Sequence, residues 1–361
     1  MISDLVDQPE SVRPSEALDT GNLESYLSER LANLDGPVTV AQFRQGYSNL
    51  TYLLRFGDRE LVLRRPPPGA NIKTAHDMGR EYRILSHLIE VYPKVPRPLL
   101  YCEDPSVLGA PFYVMERVKG IILRTEVPLV LVASPEQGRR LAESFIHTLV
   151  ELHQLDYQSA GLGDLGKPEG YVVRQIEGWT RRYQNARTDD LPEVERIARW
   201  LAEHLPPESP GCLIHNDYKY DNIVLHPREP TRILAVLDWE MATLGDPLMD
   251  LGTTLGYWAD PDDPEEWQNP LFGVTTVPGS FCRSELVEQY ARKTRWDLSN
   301  AVFYFVFALL KITATVQQIY FRYKQGWTQD ERFARLMDIV RGRIQAAMLA
   351  IEKNRIDRLV A

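Results

Sequence analysis

One segment holds most of the side chains that could carry out chemistry: residues 213–222, which read LIHNDYKYDN. Two apolar runs follow it, 223–226 and 232–237, and they predict a β-hairpin. Asn222 lies just before the first strand and Asp238 just after the second, so antiparallel pairing brings these two side chains to one edge. A hard cation such as Mg²⁺ accepts carboxylate, amide and phosphate oxygens as ligands. The segment therefore predicts a Mg²⁺ site held by Asn222 and Asp238.

Asp217 and Lys219 lie in the same segment, a turn upstream of Asn222. A carboxylate beside a bound Mg²⁺ can accept the proton of a hydroxyl group and orient that hydroxyl toward a terminal phosphate. A lysine ammonium can stabilise the negative charge that develops on the transferred group. We therefore predict phosphoryl transfer, with Asp217 as the catalytic base and Lys219 as a second catalytic residue.

The elements that must position these residues begin with a predicted extension over 1–36. Apolar residues recur at helical spacing between Leu23 and Leu34, and a Gly-Pro pair then ends this short helix. Residues 1–17 are expected to be loosely held.

A first lobe is predicted over 37–116 and a second over 117–361. In the first lobe, four apolar, β-rich runs predict an antiparallel sheet: 38–43, 50–56, 60–64 and 111–115. A helix is predicted within 78–92, and Glu81 lies on its apolar, inward face. The second lobe is predicted to be mainly helical, with helices at 137–155, 194–204, 283–293, 301–323 and 330–353. The fold class is thus α+β.

The pattern His-x-Asp-x-x-x-x-Asn, followed by an apolar strand that ends in Asp, resembles the catalytic segment of aminoglycoside phosphotransferases and their choline kinase and protein kinase relatives. The resemblance implies a two-lobed, protein-kinase-like fold that binds ATP and Mg²⁺. It also implies that Asp217 is the base, that Asn222 and Asp238 are metal ligands, and that His215 supports the loop. The order Asp-x-Lys-x-x-Asn is similar to that of Ser/Thr kinases, which makes Lys219 a phosphate contact.

The first lobe carries a looser resemblance to the same family. Residues 46–52, which read GYSNLTY, resemble the turn that covers the nucleotide. Arg64 stands where the family ordinarily has a phosphate-binding Lys, and it could pair with Glu81. The run 112–118 resembles the hinge between the lobes, whose backbone groups would recognise adenine. The nucleotide contacts implied by the resemblance are Gly46, Ser48, Asn49, Thr51, Arg64, Glu81, Glu116 and Val118.

Composition excludes several other classes of protein. A net charge of -9 argues against a nucleic-acid partner, because phosphate backbones are bound by clustered basic residues. The three cysteines have neither zinc-site nor disulfide spacing, which favours a reducing cytoplasm. The first ten residues do not resemble a signal peptide. The apolar run 301–310 is too short to span a membrane, so it predicts a buried helix and no membrane partner.

Two functions and two classes of acceptor stay open. The chain is predicted to be an enzyme that phosphorylates a hydroxyl of a small molecule; the alternative is a pseudokinase or nucleotide-binding scaffold in which Arg64 misplaces the phosphates. A Leu-Arg pair before a Pro-rich turn resembles the branch of the family that is fused to acyl-CoA dehydrogenase domains, which ranks a hydroxyacyl acceptor slightly above an amino sugar. The oligomeric state is not predicted.

Some polar residues are expected to be structural. Asp250 resembles the Asp that in this family braces the catalytic loop, the loop that here carries Asp217, or caps a helix. His153 is expected to be a buried histidine with satisfied hydrogen bonds. The acidic stretch 260–266 is expected to be a solvated loop, with a substrate lid or a cation site as alternatives.

Overall fold

A computed structural model describes residues 6–44, 49–67, 77–124, 126–132, 134–268, 274–328 and 331–360. Its first part is built on a five-stranded antiparallel sheet in the order β1-β2-β3-β5-β4. The strands are β1 (Thr39–Phe43), β2 (Leu50–Phe56), β3 (Arg59–Arg65), β4 (Pro98–Cys102) and β5 (Phe112–Glu116). The predicted antiparallel first lobe is therefore confirmed, with β4 as a strand that the sequence reading did not anticipate.

Side chains alternate between the two faces of this sheet. On β3, Leu61 and Leu63 pack on the outer face with the helix α1 (Thr20–Ser28). Val62 and Arg64 point to the other face, toward the helix α2 (Met78–Leu88) and the second lobe. The period of two in the strand thus sends Arg64 into the interior between the lobes. Helix α1 ends at Ser28, earlier than the expected Leu34.

The N-terminal segment is fixed to the first lobe, so the expectation that it is loosely held is wrong for its described residues. Glu10 pairs with Gln42 as an isolated bridge beside β1. The Tyr52 hydroxyl donates a hydrogen bond to the Glu16 carbonyl oxygen at 2.7 Å. Asp7 donates its N–H to the Gly120 carbonyl oxygen at 3.0 Å and so reaches the connection between the lobes.

The second lobe is mainly helical, as predicted. Its principal helices are α5 (Pro135–His153), α6 (Tyr171–Ala186), α7 (Pro192–Glu203), α8 (Pro247–Tyr257), α9 (Arg283–Thr294), α10 (Ala301–Lys324) and α11 (Leu336–Lys353). Two short helices, α3 (Pro105–Leu108) and α4 (Leu129–Val132), lie before α5. Helix α10 is long and apolar enough to span a membrane by composition, but 78% of its most apolar window is buried inside the protein. It packs as a core helix, as the sequence predicted for its first part.

Two small antiparallel ladders are set among these helices. The hairpin of β7 (Ile223–Leu225) and β8 (Ile233–Val236) matches the predicted one, with Ile223 opposite Val236. The strand β6 (Cys212–Ile214) pairs with β9 (Thr243–Gly245). These two ladders hold both ends of the segment that carries the candidate catalytic residues.

The acidic stretch 260–266 is not simply a solvated loop, so that expectation is wrong for two of its residues. Asp260 and Asp263 are buried and form salt bridges with Arg283, which is also buried. Arg283 further donates from Nε to the Trp258 carbonyl oxygen at 2.8 Å. The acids compensate a buried guanidinium, and their role is therefore to join the loop to α9.

Candidate functional site

A cavity of about 290 Å³ lies between the sheet and the helical lobe. Both lobes line it, and most of the residues singled out from the sequence reach it. These are Asn49, Thr51, Arg64, Glu81, Glu116, Val118, Asp217, Lys219, Asn222 and Asp238. Gly46 and Ser48 lie outside the described residues.

Asp250 on α8 holds the turn that begins the catalytic loop. Its two carboxylate oxygens accept the backbone N–H groups of His215 and Asn216, each at 2.7 Å. Asn216 has φ 67°, a left-handed conformation that Asn adopts more readily than most residues. His153 lies 3.1 Å from the same carboxylate and is bonded to the Tyr290 hydroxyl, as expected of a satisfied buried histidine. The fully buried Asp250 is therefore a brace for the loop.

His215 joins the loop to the end of the hairpin. Asp217 donates its N–H to His215 Nδ1 at 3.2 Å, and Nε2 lies 2.9 Å from the Leu237 carbonyl oxygen. A neutral ring with its proton on Nε2 satisfies both contacts, and burial lowers the pKa of His215, which favours that neutral form. The histidine thus supports the loop, as the family resemblance implied.

Asp217 lies at the centre of a small group of donors. Its Oδ2 accepts a hydrogen bond from Asn222 Nδ2 at 2.9 Å, and Lys219 Nζ lies 3.2 Å away. The Tyr257 hydroxyl is also hydrogen-bonded to this carboxylate. Burial alone would lower the pKa of Lys219, but Asp217 outweighs burial and raises it above its ordinary value. Asp217 and Lys219 therefore form a charged pair at the cavity wall.

Asn222 and Asp238 meet at the open end of the hairpin. Leu237 donates its N–H to the Asn222 carbonyl oxygen at 2.8 Å, which fixes the register at this end. Asp238 follows at φ 67°, so the chain turns sharply there, before the single-turn helix Trp239–Met241. Both side chains line the cavity. The structure therefore brings together the two residues that the sequence predicted as metal ligands.

The donors at this edge suit a hard cation. The amide nitrogen of Asn222 donates to Asp217, which leaves the amide oxygen as the atom that a cation can use. Asp238 offers a carboxylate whose side chain is 30% exposed to the cavity. Among the described residues, no three His, Cys, Asp or Glu side chains converge as metal ligands. One carboxylate and one amide oxygen match the sparse protein ligation that is typical of Mg²⁺ bound to phosphates.

Arg64 connects the sheet, α2 and the hairpin. Its guanidinium lies 3.1 Å from Glu81 and 2.8 Å from Asp238, and Glu240 is 3.7 Å away. Burial alone would lower the pKa of Arg64, but Asp238 and Glu81 keep it above its ordinary value. The pairing with Glu81 that the sequence suggested is present. The second pairing, with Asp238, was not foreseen.

The hinge offers fewer free backbone groups than the sequence suggested. The Glu116 N–H donates to the Arg97 carbonyl oxygen at 2.9 Å, so a ligand cannot use it without breaking that bond. Glu116 and Val118 both line the cavity. Recognition of a base at this position would therefore depend on the other main-chain atoms of this segment.

The sequence reading missed several polar residues of the cavity, among them Glu240, Arg124, Tyr257 and Lys311. Glu240 accepts a hydrogen bond from Asn49 Nδ2 at 2.6 Å and thereby ties β2 to the hairpin side of the cavity. Arg124 bridges Asp221 to the N-terminal segment. Tyr257 and Lys311 line the cavity from α8 and α10. The sequence could have indicated Glu240, because it directly follows Asp238 and Trp239. Arg124, Tyr257 and Lys311 belong to no local motif.

Comparison with known proteins identifies related chains. A family model described as "Phosphotransferase enzyme family" matches residues 39–272. Rat acyl-CoA dehydrogenase family member 11 is 36% identical over 330 residues, which are 89% of this chain and 42% of that protein. The chain spans less than half the length of the curated relatives that it matches.

Solved structures share the fold over most of the chain. A structure from Ralstonia eutropha that is described as an aminoglycoside phosphotransferase is 30% identical, with a TM-score of 0.75 over 92% of this chain and 99% of its own. Choline kinase from Cryptosporidium parvum is 12% identical, with a TM-score of 0.62 over 95% of this chain and 100% of its own. The second likeness shows the fold alone. The two-lobed architecture is therefore that of these kinase-like chains.

Proposed function

The chain belongs to the phosphotransferase enzyme family, and from this premise we propose that it moves the terminal phosphoryl group of ATP to a hydroxyl group of a small molecule, with Mg²⁺ as cofactor. The observation that carries the proposal is the convergence of Asp217, Asn222 and Asp238 on one cavity between the lobes. A location in the cytoplasm and the lack of a nucleic-acid or membrane partner remain proposals from the sequence.

In the proposed reaction, Asp217 orients the acceptor hydroxyl and takes its proton. The hydroxyl oxygen forms a bond to the terminal phosphorus, and ADP leaves with the bridging oxygen and its electron pair. Lys219, 3.2 Å from the Asp217 carboxylate, is close enough to stabilise charge on the transferred group. Asn222 and Asp238 would hold Mg²⁺, which would neutralise charge on the phosphate oxygens.

On the nucleotide side, Arg64 and Glu81 form the pair that orients the α- and β-phosphates. The Arg64–Glu81 contact of 3.1 Å supports this assignment, because it couples the sheet to α2 as the family pattern requires. Asn49, Thr51, Glu116 and Val118 line the same cavity and complete the proposed nucleotide contacts.

For the acceptor, a hydroxyacyl compound ranks first and an amino sugar second. The curated relatives carry the name acyl-CoA dehydrogenase, and this chain matches less than half of their length. An enzyme whose relatives are joined to such a partner would act on a compound of the same chemical class.

A second candidate function is a nucleotide-binding scaffold without turnover. The observation in its favour is the 2.8 Å contact between Arg64 and Asp238, because a guanidinium on a metal ligand competes with the cation. Both candidate functions include nucleotide binding, so only a measurement of turnover distinguishes them.

The test is ADP release from MgATP over a panel of hydroxylated acids, CoA thioesters and amino sugars. Asp217→Asn should lower kcat by roughly 10²- to 10⁴-fold, and chelation of Mg²⁺ should abolish release. Asp262→Asn, an exposed carboxylate on the acidic loop, is the matched control and should not change the rate. Thermal stabilisation by ATP with no turnover on any acceptor would establish the scaffold instead.

A further inference from the structure

Lys311 is a buried cation in the apolar part of helix α10. It lies in the middle of α10, where its neighbours Leu310 and Ile312 are buried core residues, and its own side chain is 3% exposed. Burying an ammonium group is unfavourable unless a partner compensates its charge. The position therefore requires an explanation beyond packing.

The described contacts of Lys311 are with uncharged groups. Its ammonium donates to the Asn216 carbonyl oxygen at 2.5 Å and to Thr253 Oγ1 at 3.3 Å. The Trp179 ring lies 5.8 Å from Nζ. Within the described part of the chain, Lys311 forms no salt bridge. An ammonium has three N–H donors, so these two hydrogen bonds leave one donor for another partner.

Lys311 also belongs to the wall of the cavity, beside the catalytic pair. It lines the cavity together with Thr315 and Ile319 of the same helix, and with Lys219 and Asp217 of the loop. Lys219 already neutralises Asp217, at 3.2 Å. Asp250, the other nearby acid, is taken up by the His215 and Asn216 N–H groups, so no carboxylate of the described residues forms a salt bridge with Lys311.

We propose that Lys311 binds an anionic group of the acceptor, a carboxylate or a phosphate, and so selects hydroxylated acids over neutral and cationic alcohols. This inference rests on the proposed phosphotransferase function and adds a specificity-determining residue to it. An anion at this place would take the remaining N–H donor and compensate the buried charge. A polycationic amino sugar would instead meet a like charge.

The charge state of Lys311 gives the proposal a pH dependence. Burial lowers the pKa of Lys311 to about 8, against the effect of Asp217 and Asp250, while Lys219 and Arg182 act in the same direction as burial. A bound anion favours the charged form and raises this pKa. Affinity for the anion should therefore be highest below pH 8 and should fall as the pH rises above 8.

The experiment compares ω-hydroxy acids with the diols and amino alcohols of matched length, and with hydroxyalkyl phosphates as a separate arm. Wild-type kcat/KM should favour the acids or the phosphates, through KM. Lys311→Met also removes the bond to the Asn216 carbonyl oxygen and should lower activity on every acceptor. Beyond that common loss, it should reduce the preference for acids by roughly ten- to hundredfold, the range of a charged hydrogen bond. Lys311→Arg should keep the preference and show a KM that no longer rises above pH 8.

Thr253→Val is the matched control, because it removes a polar contact of Lys311 without removing the charge. It should leave the ratio between acid and diol unchanged. If Lys311→Met lowers kcat/KM equally for acids, diols and amino alcohols, or raises the KM of ATP instead, Lys311 does not bind the acceptor's anion. The phosphotransferase function would survive that result, since the diols and amino alcohols would still be phosphorylated by the wild type.

If no acceptor is turned over, binding of the hydroxy acids and hydroxyalkyl phosphates tests the anion site. Thermal shifts by the hydroxy acids and the hydroxyalkyl phosphates, measured with ADP and Mg²⁺ at pH 7 and pH 9.5, should be larger at pH 7 and should disappear in Lys311→Met. Such shifts would support the anion site even if transfer fails. Equal shifts in wild type and Lys311→Met would overturn it.

Discussion

The two walls of the cavity are held in different ways. On the helical side, the catalytic loop is fixed through its own backbone: Asp250 accepts two of its N–H groups, and Lys311 donates to the Asn216 carbonyl oxygen. The Thr254 hydroxyl adds a hydrogen bond to the Tyr218 carbonyl oxygen at 2.9 Å. These partners are all buried, so water cannot replace them.

On the sheet side, the functional groups are held by contacts between side chains. Arg64 forms ion pairs with Glu81 and Asp238, and Asn49 donates to Glu240. Such contacts connect the two lobes but fix no backbone atom of the sheet. They can re-form around phosphates and a cation, whereas the backbone of the catalytic loop cannot move without breaking buried hydrogen bonds.

On the helical wall, the same contacts therefore support both folding and catalysis. On the sheet wall, the contacts support catalysis more than folding. A change on the helical side should damage folding and catalysis together. A change on the sheet side should damage catalysis more than folding. Each of the following experiments tests that division.

The largest effect is expected from Asp250→Asn. The substitution replaces one of two buried acceptors with a donor that faces a backbone N–H, and it removes the charge beside His153. Urea denaturation should show a loss of about 3–5 kcal/mol in the free energy of unfolding, and activity should be lost as well.

Asp246→Asn on the same helix is the control for Asp250→Asn. Asp246 caps α8 by accepting the Leu248 N–H at 2.7 Å, and Asn is an equally good cap. Its effect on the free energy of unfolding should stay below about 1 kcal/mol. If both variants lose the same stability, the bracing of the loop is not what distinguishes Asp250.

Glu81→Gln should show the opposite balance on the sheet side. Arg64 would keep Asp238 and Glu240 as partners, so the free energy of unfolding should fall by only about 1–2 kcal/mol. The value of kcat/KM for ATP should fall by roughly ten- to hundredfold, because the guanidinium is then drawn toward the metal ligand. A variant that loses several kcal/mol with little change in kcat/KM would contradict the division between the two walls.

Acidification should affect the two lobes in opposite directions. Burial alone would raise the pKa of Glu60 on β3, but hydrogen bonds from Lys119, Arg55 and Arg117 lower it to about 2. The ordinary value is 4.5, so the stability from Glu60 is complete above pH 4.5 and is lost as the pH falls toward 2. In the helical lobe, burial raises the pKa of Asp260 to about 6, which favours the folded state as the pH falls below 6.

Urea denaturation of wild type and Glu60→Gln at several pH values measures this prediction. The difference in the free energy of unfolding should be about 1 kcal/mol at pH 5, after allowance for screening by solvent, and near zero at pH 2. Asp260→Asn is the counterpart and should remove the stabilisation between pH 6 and pH 4. A difference between wild type and Glu60→Gln that does not depend on pH would exclude an ionic role for Glu60.

The sequence predicted those parts of the site in which the position of a side chain follows from the local sequence pattern. The hairpin that joins Asn222 to Asp238 and the inward face of Glu81 are of this kind, because strand pairing and helical periodicity determine them directly. Helix α8 was not predicted, because its glycine and threonine residues are weak helix formers. Its Gly252 allows close approach to α10, since a Cβ there would lie 2.5 Å from the Tyr304 carbonyl oxygen. That requirement comes from a helix far along the chain and has no local signal.

Two further errors come from long-range partners. Asp260 and Asp263 resemble a solvated acidic loop until Arg283 is placed between them. Lys311 resembles the end of an apolar run, and only the packing of α10 on the catalytic loop shows that it lines the cavity. Whether a charged residue is buried depends on its partner as much as on the residue itself. The sequence of one segment therefore cannot show it.

The smallest effect is expected from Arg64→Lys, which places at this position the residue that the family ordinarily carries. Both side chains are cationic, but the guanidinium fork reaches Glu81 through one nitrogen and Asp238 through the other, and an ammonium cannot reach both in the same way. If the sheet wall works through charge, Lys should keep the contact with Glu81 and lower kcat/KM for ATP by only about threefold, or below 1 kcal/mol. Arg64→Met is the matched control and should lose far more, because Glu81 would then be buried without a counter-charge. Equal losses in the two variants would mean that the fork geometry matters as much as the charge. The sheet wall would then depend on the geometry of its contacts as strongly as the helical wall does.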